Sequence, residues 1–204
     1  MRKPDPDLQS RRRQEIIDGA TRCFTANGFH QSSMADISAA AGLSMGLLYR
    51  YFPSKTAIID AVAQGDRDAM IAAVAALPDH GTVAADWTRL LVATILEVTA
   101  PGAIELLNEI HAEAGHNPAL LAQLRHNDSL LLAAIRAKLD HQGVPQPDGA
   151  AMLLVALVEG LAVRRYLMPG LDTAALTQLV ARGLAPILAA ISEAPTAAAD
   201  PAGA

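Results

Sequence analysis

Ser44-Met45-Gly46-Leu47-Leu48-Tyr49-Arg50-Tyr51-Phe52-Pro53-Ser54-Lys55, coming directly after Met34-Ala35-Asp36-Ile37-Ser38-Ala39-Ala40-Ala41-Gly42-Leu43, constrains this chain more than any other stretch. Two short helical patterns meet at a turn holding Gly42, and Ser44 offers a hydroxyl to the open amides of the second helix. Leu48 and Phe52 stand four apart, so they share a face that must be buried. Tyr49, Arg50 and Tyr51 are left to the outer side. This is the layout of a helix-turn-helix, whose second helix enters the major groove of DNA. The expectation is a chain that reads DNA and does not catalyse. The sequence carries no Gly-rich phosphate loop, nucleophile elbow or metal-binding helix motif, so neither a cofactor nor a metal site is expected.

A net charge of −5 argues against nucleic acid until its distribution is seen. Residues 1–55 carry eight Lys or Arg against five acids, whereas residues 56–204 carry eight against sixteen. A basic head on an acidic body implies that only the head meets phosphate. The hydrophobic share is 51%, mostly Ala and Leu, with 3% aromatics, which favours helices over sheets. No apolar run reaches the roughly 18 residues of a membrane span. The N-terminus lacks the apolar segment of a secretory signal, and the single Cys23 has no disulfide partner, which together suit a cytoplasmic protein.

Helical spacing predicts a first helix over 10–26, ended by Asn27-Gly28, with Phe29 tucking back against it. Ser32 or Ser33 caps the second helix, with Asp36 completing a partial capping box. The third spans Met45 to Tyr51, and Ser54 caps a fourth over 55–77 that can serve as a rod leading away from the DNA reader. Five more are expected near 82–99, 102–114, 118–141, 148–168 and 173–192, with Asn117, Asp148 and Asp172 as caps and Pro186 kinking or shortening the last. The expected organisation is all-α: a three-helix DNA-binding domain over 10–55, a helical ligand-binding and dimerisation bundle over 56–192, and disordered ends at 1–9 and 193–204.

The last two helices are more apolar than one interior face requires. Leu154, Leu157, Val158, Leu161, Leu167 and Met168 lie on one; Leu176, Leu179, Val180, Leu184, Ile187, Leu188 and Ile191 lie on the other. Two such helices packed on their symmetry mates make a four-helix homodimer interface; the competing reading is a buried pair within a monomer.

From about Arg12 to Ile59 the chain resembles the DNA-binding domain of the TetR/AcrR transcriptional regulators. The resemblance rests on Ile16-Ile17 with Ala20 and Phe24, Asn27-Gly28-Phe29, Ala35-Asp36-Ile37, Ala40-Ala41-Gly42-Leu43-Ser44, Gly46, Leu48-Tyr49, Tyr51-Phe52 and Ser54-Lys55. It implies a repressor that binds a palindromic operator as a homodimer and is released by a small-molecule effector. It further implies that Met45, Gly46, Leu47, Tyr49, Arg50 and Tyr51 face the groove. Ser33, Ser44 and Lys55 would meet phosphate at helix N-termini, with Arg12 and Arg13 as flanking contacts.

Beyond that segment the family diverges, and the residues speak alone. Glu97, Glu105, Asn108, Glu109 and His111, with Trp87 as an aromatic wall, suggest a pocket between the fifth, sixth and seventh helices for a ligand, with a cation suited to those acids. The plainer reading is a solvated face on the sixth helix. Two other classes stay open: a helical enzyme or carrier, and a ligand-insensitive architectural DNA binder.

Overall fold

Ala-rich and Leu-rich segments broken by Pro and Gly leave little room for strands. In the computed structural model, which describes residues 6–189, every regular element is an α-helix. In chain order these are α1 (Pro6–Asn27), α2 (Met34–Ala40), α3 (Met45–Tyr51), α4 (Lys55–Ala75), α5 (Val83–Val98), α6 (Ala103–Ala114), α7 (Pro118–His141), α8 (Pro147–Leu167) and α9 (Thr173–Ala189). The first begins at Pro6, inside the stretch expected to be disordered, because proline is well suited to the first turn of a helix. α9 runs through Pro186 within its described length. The expected end at 192 and the tail at 193–204 lie outside the described residues.

Local signals account for most helix starts. Ser33 caps α2 in a full capping box: its hydroxyl accepts from the Asp36 amide, and the Asp36 carboxylate accepts from the Ser33 amide at 2.8 Å. The Ser44 hydroxyl accepts from the Leu47 amide, Ser54 from Ala57, Asn117 from Leu120 and Asp172 from Ala175. Asp148 does not cap α8. Pro147 takes the first helical position, so the cap falls on Gln146, at φ 46°, and Asp148 lies in the first turn.

The described residues divide into two units, one formed by 6–72 and 96–131, the other by 73–95 and 132–189. The first unit joins α1–α3 to most of α4, to α6 and to the start of α7. Its core gathers Ile16, Ala20, Phe24, Phe29, Ile37, Leu48, Phe52, Ile58 and Ile59 with Leu106, Ile110 and Ala114 of α6. The α6 residues recur every four positions and so form one apolar stripe turned to the head. In the second unit, Trp87 is fully buried and its indole N–H donates to Gln142 Oε1 at 2.8 Å. Lys138 and Asp79 pair at 2.6 Å, and that ammonium holds the Asp79 carboxyl below its ordinary value. α8 and α9 pack together, burying Ala151, Leu154, Ala162, Leu176, Val180 and Leu184.

Candidate nucleic-acid interface

Leu48 and Phe52 are buried, so they turn one side of α3 into the core and leave the other side facing out. Met45, Gly46, Tyr49 and Arg50 are exposed; Leu47 and Tyr51 are partly so. Tyr49 is 51% exposed, a large share for an aromatic in a folded domain. The Arg50 guanidinium lies 5.4 Å from the Tyr51 ring centroid, which orients a cation on the outer side of the helix. Beyond its own stretch of helix, no atom lies within 4 Å of where a Cβ on Gly46 would stand, so backbone is open to a close approach there. Ser33 and Ser44 are both exposed at helix N-termini. The Asp36 carboxyl beside Ser33 is held below its usual value, first by the Ser33 hydroxyl and then by the Ser33 amide.

Other candidates are tied to partners within the head. The Lys55 ammonium is bound by the carbonyls of Phe29 at 2.6 Å, Ser32 at 2.9 Å and His30 at 3.4 Å, and it lies over the Phe29 ring. That lysine ties the α1–α2 turn to the start of α4. Arg12 pairs with Glu15 at 2.7 Å, and Arg13 covers the Phe52 ring.

The six candidate ligand residues are divided between the two units. Trp87 belongs to the second unit and is packed on all sides, whereas Glu97, Glu105, Asn108, Glu109 and His111 belong to the first. Glu97, Glu105, Asn108 and His111 are exposed; Glu109 instead accepts from the backbone amides of Phe29 and His30. A cleft of about 490 Å³ lies between α1 and α4, lined by Gln14, Ile17, Asp18, Thr21, Val62, Gly65 and Asp66. Asp66 is exposed at its edge, yet partial desolvation of its carboxyl, and secondarily Glu97, push it above the ordinary value. Nothing in the sequence pattern had singled out this cleft, because its walls come from helices some forty residues apart.

The chain matches the family described as bacterial regulatory proteins, tetR family, over residues 16–62, and the tetracyclin repressor-like C-terminal domain over residues 66–186. It is similar to the HTH-type transcriptional regulator UidR of Escherichia coli K12, 30% identical over 141 residues, or 67% of this chain and 70% of that protein. It is also similar to an HTH-type transcriptional repressor of Mycobacterium tuberculosis, 37% identical over 72 residues, or 35% of this chain and 38% of that one. Among solved structures, Salmonella enterica GusR superposes with a TM-score of 0.73 at 24% identity, covering 93% of this chain and 98% of that one.

Proposed function

The chain belongs to the TetR family of bacterial regulatory proteins, as a helix-turn-helix transcriptional regulator, and from that premise we propose a homodimeric, cytoplasmic repressor released by a small molecule. Its paired heads would read the two halves of a palindromic operator. The observation that carries this reading is the outward side of α3, where Tyr49 and Arg50 stand exposed while Leu48 and Phe52 anchor the helix from behind. Tyr49, Arg50 and Tyr51 meet phosphates and base edges, Met45, Gly46 and Leu47 face the groove, and Ser33 and Ser44 bind phosphate at helix N-termini. At Lys55 the ammonium keeps to the turn carbonyls and acts as a brace.

The dimer is supported by the outer row of α8. Met152, Ala156, Gly160, Val163 and Leu167 are all exposed and follow one another along a single helix face. Tyr166, Met168 and Leu179 extend the apolar area, which exceeds what a lone surface needs. Packed against a second copy, it forms a four-helix interface with small residues at its centre. An effector that prefers the DNA-incompetent state by about 1–3 kcal/mol weakens DNA binding roughly 5–150-fold, enough for induction.

The test is to recover genome fragments bound by the full-length protein, then titrate the strongest fragment and a random duplex in gel shifts. A large preference for the recovered fragment is expected, together with protection of two half-sites about one helical turn apart. Equal affinity for both duplexes would leave an architectural binder instead.

A further inference from the structure

The α1–α2 turn is gripped from two sides by opposite charges. Its carbonyls at Phe29, His30 and Ser32 accept from Lys55, while its amides at Phe29 and His30 donate to one oxygen of Glu109 on α6. The His30 contact is 3.3 Å; that to Phe29 is shorter. Backbone polar groups in a turn ordinarily rely on water, so two amides held by a carboxylate eighty residues away is a specific arrangement. The approach is close: a methyl on Gly28, at φ +81°, would stand 2.6 Å from Glu109 Oε1. Near the other end of α6, a methyl on Gly102 would stand 2.3 Å from the Thr25 carbonyl oxygen. With Leu106, Ile110 and Ala114 in the same core as Ile37 and Leu48, α6 is seated along its length on the head.

We propose that Glu109 is a positioning residue for DNA reading: its carboxylate fixes the α1–α2 turn, and through the turn the angle at which α2 and α3 meet the duplex. This rests on the reading of the chain as a DNA-binding regulator. The side chain touches no groove residue; it acts through the backbone of Phe29 and His30. Because α2 begins at Met34, only four residues beyond His30, a slack turn lets the capped α2–α3 pair tilt as one piece.

The test uses the full-length protein and its Glu109→Ala and Glu109→Gln variants. Hydrogen exchange at the Phe29 and His30 amides is read together with affinity for the strongest genome-bound fragment and for random duplex. Glu109→Ala is expected to speed exchange at those two amides about tenfold, the equivalent of one lost charge-assisted hydrogen bond. Fragment binding weakens by a similar factor, while random-duplex binding, which rests more on the long-range charge of the head than on aimed contacts, falls less. Glu109→Gln keeps an acceptor oxygen and recovers most of both. Thermal unfolding of each variant identifies any loss of fold. Unchanged exchange in Glu109→Ala overturns the grip. Faster exchange with undiminished fragment binding overturns the positioning role, as does equal damage by Ala and Gln. A wild-type protein that does not prefer the fragment sinks the regulator reading instead, and the exchange measurement still decides whether the turn is held.

Discussion

Neighbouring residues on α3 ought to fail in opposite ways. Leu48 is fully buried among Ile16, Ile37 and Phe52, so Leu48→Ala leaves a cavity and costs about 2–5 kcal/mol. In a chain of this length each kcal/mol lowers the melting temperature by about 2–4 °C, which predicts a fall of roughly 4–20 °C. Tyr49, one position on and 51% exposed, should change stability by only about 0.5 kcal/mol when cut to Ala, a shift of roughly 1–2 °C. On DNA the order reverses. A hydroxyl bonded to a charged phosphate contributes about 1.5 kcal/mol, so losing it from both halves of a dimer removes about 3 kcal/mol, or roughly 150-fold in affinity. Calorimetry and fluorescence anisotropy at one fixed salt concentration separate the two. If Tyr49→Ala unfolds as early as Leu48→Ala, the ring is packing and not a reader. If it binds the operator like wild type, α3 does not meet DNA through this residue.

Three further outcomes follow. Val163→Glu on the exposed row of α8 should shift sedimentation from dimer to monomer with little change in helix content; a persistent dimer would place the interface elsewhere. Ser33→Ala removes the α2 cap and should cost about 1 kcal/mol, or about 2–4 °C, read by calorimetry; no change would mean that Asp36 alone satisfies the helix start. Asp66→Asn should raise the melting temperature by about 1–2 °C at neutral pH, since an exposed site limits the effect to about 0.5 kcal/mol. With the folded pKa above the unfolded 3.8, ionised Asp66 costs stability at higher pH, and the cost fades as pH falls through the folded value towards 3.8. A gain that persists below that range would assign the effect to something other than charge.

Signals that act within one turn of helix were legible in the sequence. Ser44, Ser54, Asn117 and Asp172 each bond an amide three positions ahead, a relation that spacing alone reveals. The start of α8 was misjudged where two such rules competed, and Pro147 displaced the cap from Asp148 to Gln146. On α8 and α9 the excess of apolar residues was visible but its phase was not. Leu154, Leu176, Val180 and Leu184 lie inside the pair, while Met152 and Val163, not counted among the interface residues, lie outside. Both rows recur at helical spacing, and only the position of the neighbouring helix tells them apart. Glu109 was set down as a ligand residue because its partners, the amides of Phe29 and His30, are eighty positions away. No local pattern carries that information.

The charge of the head has a different meaning once its partners are known. Of the cations of the first 55 residues that have described side chains, Lys55 binds turn carbonyls, Arg22 binds the Ala40 carbonyl at 2.9 Å, Arg13 covers Phe52 and Arg12 pairs with Glu15. Only the last of these is neutralised; a cation on a carbonyl or a ring keeps its full field at a distance. The basic head therefore still draws a duplex towards it, and beside the exposed Arg50 the direct contacts fall to groups that carry no net charge. Those on the outer side are the hydroxyls of Tyr49, Ser33 and Ser44, with the helix amides beside the two serines. Hydroxyls and amides bond only at short range and fixed angles, unlike a flexible ammonium. A reader built from them depends on how firmly α2 and α3 are aimed. That is the physical reason for this head to hold its turn between a lysine and a glutamate.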